Sequence, residues 1–321
     1  MKKRWKKSAV EGLTKDISIF VMSRLFRKRH FKDFLALISG RCFLIFINFL
    51  ALLIFFGLIL KARPILGIVS LPELLFSSSW HPLKNEFGLF PFIVGTLQVT
   101  MLTMLIALPI CMLAAIYLSE YSRKRFREAA RFIIDILAGI PSVVYGLCGV
   151  LVVVPFVRFT GELFGVQTTG YSLLAGSIVL AVMVIPFVIS ISVEVLRMVP
   201  DPLRESALAL GATRWEVVKY VVLKKARAGL IAAVVLGFAR AFGETMAVLM
   251  VVGNVAQISF SVFEPAYPLP ALIANNYGEV MSIPLYDAAL MSAALVLMIV
   301  VTIFSLTAHY TLLKVGERSG R

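Results

Sequence analysis

The chain has 321 residues, 60% of them hydrophobic, with a mean hydropathy of +0.91 and a formal net charge of +14. A soluble domain is about 45–50% apolar by a similar count, so this excess excludes a water-soluble globular protein. The apolar runs are continuous, which excludes a β-barrel, and the basic residues flank those runs, which speaks for membrane orientation and against nucleic-acid binding.

The first 41 residues are rich in Lys and Arg, from Lys2 to Arg41. Phe20, Leu25, Phe26, Phe31, Phe34 and Ile38 are interleaved with these cations. That pattern predicts a helix lying at the cytoplasmic interface, with a loosely ordered positive tag as the alternative. No cleavable signal peptide is expected, because the first apolar run follows this long basic segment.

Six membrane-spanning helices are predicted: Cys42–Leu60, Phe92–Leu118, Phe132–Val157, Tyr171–Val193, Ala228–Gly253 and Leu285–Tyr310. Each reaches the roughly 20 residues that a bilayer crossing needs. The domain reading is therefore a basic segment (1–41), a first transmembrane helix (42–60) and an all-α core (92–313) with the other five spans. Lys and Arg crowd the segment before the first span and the loops after the second and fourth, at 123–131 and 197–227. The alternate loops hold few, and residues 254–284 hold none. This alternation places both termini in the cytoplasm. Cys42, Cys111 and Cys148 fall within spans and read as small apolar packers, and the three histidines form no cluster.

The third span carries "AGIPSVVYG", residues 138–146. Pro141 predicts a kink, and Gly139 and Gly146 permit close helix approach. A broken helix at membrane depth is tolerated beside protein or a water-filled path, where the hydroxyls of Ser142 and Tyr145 would meet a permeant solute. The alternative is a structural kink with both hydroxyls bonded to backbone. Pro186 in the fourth span reads as a structural kink only.

Residues 200–229 are unlike a plain connector. Asp201 before Pro202 reads as an N-cap with proline at the first helical position. Gly211 suits a left-handed helix end, and Thr213 with Glu216 forms a capping box. The expectation is a short helix, a glycine turn and a second helix on the cytoplasmic side. It either rests on lipid or docks a cytoplasmic protein.

The fifth span holds Arg240 and Glu244 amid "GFARAFGETMAV". Four residues apart, they would share one helix face. A lone charge at mid-bilayer costs roughly 3 kcal/mol on insertion scales, so such residues line a polar path or pair with each other. The planar arginine fork suits a tetrahedral oxyanion. Glu244 would hold Arg240 in place and accept a hydrogen bond from a protonated oxyanion such as hydrogen phosphate. A purely structural ion pair is the alternative. Sulfate, molybdate and phosphonate stay open on these residues alone.

"ESALALGATRWEVVKYVVL", residues 205–223, resembles the EAA loop of importer-type ABC transporter permeases. Glu205, Ala207 and Gly211 match that loop in place, Ser206 stands for its first alanine, and Lys224 stands where the family usually has proline. Together with "AGIPSVVYGLCGV" and "ARAFGETMAVLMVVGN", the loop is similar to the PstC-type permease subunits of phosphate importers. The resemblance implies an importer-type permease fold in the bacterial cytoplasmic membrane and phosphate import. It implies that Glu205, Ser206, Ala207 and Gly211 couple to an ATPase, and that Arg240 and Glu244 serve phosphate passage. The implied partners are a PstA-type second permease, a dimeric ATP-binding subunit and an external phosphate-binding protein. The chain has no phosphate loop of its own, so ATP and Mg²⁺ belong to that ATPase and no cofactor is expected here. A permease for another oxyanion and a membrane sensor or scaffold for phosphate signalling are the competing readings. A membrane enzyme has little support.

Overall fold

The structure is a computed structural model that describes residues 37–84, 86–278 and 284–319. The predicted interfacial helix lies largely in residues 1–36, outside the described part. The chain divides into a unit ending at Gly57 and a second beginning at Leu58. The described part of the first is helical and exposes its apolar side chains, among them Phe43, Phe46 and Phe49.

Among the described residues, five helices are long and apolar enough to cross a membrane. They are α1 (Leu37–Leu66), α3 (Phe90–Tyr121), α5 (Ser142–Leu163), α6 (Leu173–Arg197) and Leu285–Ala308 within α11 (Pro284–Ser319). Between α1 and α3 lie α2 (Leu71–Phe76) and a hairpin of β1 (Trp80–His81) and β2 (Glu86–Phe87). Helix α4 (Lys124–Gly139) precedes α5. After α6 come α7 (Asp201–Ala209), α8 (residues 214–243), α9 (Met246–Leu249) and α10 (Leu269–Asn276).

Two predicted spans are revised. The third, 132–157, is not one kinked helix. Ile140 is extended, with φ −69° and ψ 131°, because the proline ring at 141 clashes with a helical residue before it. The break separates α5 from α4, which is amphipathic and buries none of its residues. The fifth, 228–253, is not one helix either: α8 ends at Gly243, and the short α9, Met246–Leu249, follows the break. Pro186, by contrast, stays inside α6.

Helices α3, α6 and α8 form the centre. Val99, Met104, Cys111, Val184, Val188 and Ala241 pack together there. Lipid tails are as apolar as these side chains, so close fit and hydrogen bonds, not water exclusion, hold the helices. Gly237 on α8 supplies such a fit, since a Cβ there would lie 2.6 Å from Cγ2 of Val188. The buried hydroxyl of Thr103 on α3 donates to the Ser177 carbonyl on α6 at 3.3 Å. Of the cysteines, Cys111 alone is buried, and Cys42 and Cys148 are exposed.

The end where α3 begins is closed by an aromatic cap. Phe92 lies edge-on to Trp80 at 5.0 Å and to Tyr267 at 5.2 Å between centroids. Asn275 and Asn276 donate to the Tyr267 hydroxyl, and Tyr286 donates to Asn276. The 200–216 turn lies at the opposite end of α3, where Glu120 meets Arg204.

Candidate functional site

The 200–216 turn is built from local signals. The cap of α7 is Pro200, so the helix starts at Asp201, one place earlier than predicted. Its carboxylate accepts from Arg204 Nη1 at 3.0 Å instead of capping the backbone. Gly211 closes the helix with φ +88°, and no atom lies within 4 Å of where its Cβ would stand. Backbone conformation, not space, requires the glycine. Thr213 and Glu216 form the predicted box. The Thr213 N–H donates to the Glu216 carboxylate at 2.8 Å, and the Thr213 hydroxyl accepts from the Glu216 N–H at 3.3 Å. The Thr213 hydroxyl also donates to that carboxylate at 2.8 Å, and the two donors, the Thr213 backbone N–H first and the hydroxyl second, hold the Glu216 carboxyl below the usual carboxylate range.

Glu205 and Ser206 are exposed on α7, while Ala207 packs towards Ala115, Leu196 and Val217. The Ser206 hydroxyl donates to the Pro202 carbonyl at 2.7 Å. Around the turn, Leu203, Leu208, Leu210, Trp215 and Tyr220 are exposed, Leu210 at 89%. A run of bare apolar side chains on a charged loop marks a surface built for contact.

Arg204 escaped the sequence reading. Its side chain is 17% exposed and that of its partner Glu120, at the end of α3, is 10%. Arg204 Nε and Nη2 donate to the two Glu120 oxygens at 3.2 and 3.0 Å, a bidentate fork. Nη2 also donates to the Leu196 carbonyl at 2.9 Å, and Nη1 to the Val199 carbonyl. One guanidinium thus ties α7 to the ends of α3 and α6. The signal available was a lone carboxylate at the end of the second span, against a basic loop.

The second cluster lies deeper. Helix α8 ends at Gly243, and Glu244 is extended, with φ −75° and ψ 129°. The expected shared helix face of Arg240 and Glu244 therefore does not form, and among the described residues no ion pair joins them. Glu244 instead accepts from the Ala247 N–H of α9 at 3.4 Å. The Arg240 guanidinium lies 4.9 Å from the ring centroid of Phe187, which stands near the middle of α6. Arg240 Nε is buried and has no hydrogen-bond partner.

Tyr145 is brought to the same neighbourhood. The adjacent Gly146 packs against Ala247 and Met250, just past the break. The Tyr145 hydroxyl donates to the Leu137 carbonyl at 2.7 Å, bridging the break at Pro141. Its one donor is thereby engaged, while its oxygen can still accept. Ser142 is partly exposed in the first turn of α5.

The model of the binding-protein-dependent transport system inner membrane component family matches residues 107–314. The chain is 36% identical over 261 residues to the phosphate transport system permease protein PstC of Mesorhizobium japonicum, covering 77% of this chain and 80% of that protein. It is 41% identical over 244 residues to the probable ABC transporter permease protein YqgH of Bacillus subtilis, covering 75% and 78%. Among solved structures, a bacterial alginate ABC transporter in complex with an alginate-bound periplasmic protein shares the fold. Its TM-score is 0.58 at 18% identity, over 84% of this chain and 94% of that one.

Proposed function

The chain belongs to the binding-protein-dependent transport system inner membrane components, as a phosphate transport permease subunit, and from that premise we propose how it passes phosphate and couples to ATP. Six segments cross the bacterial cytoplasmic membrane with both termini inside: α1, α3, α5, α6, α8 with its continuation to residue 253, and α11. The alternation of basic loops supports this topology. A PstA-type permease completes the path, a dimeric ATP-binding subunit docks on Glu205, Ser206, Ala207 and Gly211, and an external phosphate-binding protein delivers the substrate. ATP and Mg²⁺ are bound by the ATPase, and this chain takes no cofactor.

Arg240, Glu244, Ser142 and Tyr145 line the path. The observation that carries this reading is the buried Arg240 Nε without an acceptor, beside a break in the helix. Stacking on Phe187 steadies the guanidinium plane and leaves its edge donors for a visiting oxyanion. Phosphate oxygens accept from that edge. Glu244, released from α8, accepts the P–O–H hydrogen that sulfate lacks and repels a fully ionised oxyanion. Coupling runs from α7 through Arg204 to Glu120 and to the end of α6, the helix that also carries Phe187.

The test is uptake of labelled phosphate against competing sulfate, molybdate and phosphonate, in a strain lacking its own importers. Wild type is expected to yield only to unlabelled phosphate, and Glu244→Gln to admit sulfate. A Glu244→Gln importer that inserts normally and keeps wild-type selectivity overturns the role given to this carboxylate.

A further inference from the structure

We propose that Arg127, Arg131 and Arg197 form a second oxyanion site, at the cytoplasmic ends of α3, α4 and α6, which takes a phosphate group either free in solution or on a lipid headgroup. The three guanidinium groups border one partly open cleft with Glu194 and Ser190, over an apolar floor that includes Leu118 and Ile189. Three cations thus share a single carboxylate. Arg131 Nη2 donates to Glu194 at 3.1 Å. Arg127 is fixed by its own loop, donating through Nη2 to the Ser122 carbonyl at 2.8 Å and through Nε to the Ser122 hydroxyl at 3.3 Å. The charges of Arg127 and Arg131 both act on Arg197.

Like charges held together repel unless something of opposite sign neutralises them, and one glutamate leaves an excess of two positive charges over the cleft. Basic residues that serve only to orient a membrane protein need no common focus. These converge from two helices onto one cleft, with Arg127 locked in place before any ligand arrives. Guanidinium forks match a phosphate group in geometry as well as charge. The apolar floor leaves room for the first carbons of a lipid. The site is separate from Arg240. Phe187, which carries the Arg240 guanidinium, precedes Arg197 by ten residues on α6, roughly 15 Å along the axis. Arg197 is also four residues ahead of α7, so a phosphate bridging it to Arg131 would link α4 to the start of the coupling loop.

The test uses the assembled importer in nanodiscs of phosphatidylcholine and reads arginine modification by phenylglyoxal, peptide by peptide. Inorganic phosphate is added in one arm, phosphatidylglycerol is built into the disc in a second, and sodium chloride at matched ionic strength is the third. Slower modification of Arg131 and Arg197 is expected with phosphate or phosphatidylglycerol and not with chloride. Protection by phosphate alone identifies a soluble ligand, and protection by phosphatidylglycerol alone identifies a lipid. Protection must persist in Arg240→Gln, which separates this site from the transport path. Arg197→Gln should weaken the protection of Arg131 about tenfold, the loss of one charge-assisted contact. Protection by neither ligand, or equal protection by chloride, overturns the proposal in the wild-type protein alone.

Discussion

The 200–216 turn and the break at 243–246 are both places where one helix stops and another starts, and they are finished differently. In the turn, Gly211 N–H bonds to Leu208 at 2.9 Å, Ala212 N–H to Ala207 at 3.2 Å, and Thr213 with Glu216 closes the next helix. In the break, the bonds from the Glu244 N–H to Ala241 and from the Ala247 N–H to Glu244 are both 3.4 Å, and a buried arginine nitrogen has no partner. The saturated junction can pass force to its neighbours. The unsaturated one holds polar groups open for something that comes and goes. If this contrast is right, damage to the two regions must separate stability from transport in opposite ways.

The largest effect is expected at the saturated end. Removing one partner of a buried ion pair costs about 3–5 kcal/mol, because the other charge is left uncompensated. Arg204→Met should lower the melting temperature of the assembled importer and its membrane yield. Adding Glu120→Gln should recover much of the stability and none of the coupling, leaving ATP turnover without phosphate uptake. Full coupling in that double variant would show that Arg204 only stabilises the fold.

Arg240→Lys should do the reverse. The charge stays and the fork is lost, for roughly 2 kcal/mol or about thirtyfold in phosphate uptake, with yield unchanged. Removal of both charges in Arg240→Gln with Glu244→Gln is the sharper comparison. Wild-type uptake in that double variant would make the pair structural and erase the contrast between the regions.

Gly211 comes third. Nothing crowds its missing Cβ, so only the left-handed backbone opposes substitution. Gly211→Val should cost about 1–2 kcal/mol and reduce co-purification of the ATPase, while Gly211→Asn should be milder. Equal binding of the ATPase by both variants and the wild type would leave the turn as a hairpin on lipid.

What the sequence made legible follows the same division. Gly211 and the Thr213–Glu216 box are local, and their spacing alone specified the turn. The apolar runs likewise placed α1, α3, α6 and α11. The Arg240–Glu244 face was misread because apolar residues continue past Gly243 to Val252, so hydropathy saw one span where the backbone has a break. Gly243 was the available warning, as a glycine inside a helical pattern. Pro141 is legible as a kink, but its ring also forces Ile140 out of the helical region, so one apolar run holds both an amphipathic helix and the start of a span. Arg204 and Glu120 lie 84 positions apart, and no periodicity connects them.

The smallest effect tests the saturated junction at its most local bond. The folded Glu216 carboxyl titrates below its ordinary range because the Thr213 N–H and hydroxyl donate to its ionised form. A depressed folded pKa means that this bond stabilises the turn above the unfolded carboxyl's pKa, and that the contribution is lost as pH falls through the folded value. Thr213→Ala removes the hydroxyl but keeps the backbone donor. Glu216 should then titrate higher than in wild type, yet still below an unbonded glutamate. The melting temperatures of wild type and Thr213→Ala should differ most near neutral pH. The gap should narrow on acidification without closing, because the Thr213 hydroxyl still accepts from the Glu216 N–H when the carboxyl is protonated. Comparing two variants at each pH cancels every other titrating group in the importer. A gap that stays constant into the acid range would mean that the carboxylate takes no part in the cap, and that the Thr213 hydroxyl acts only by accepting from the Glu216 N–H.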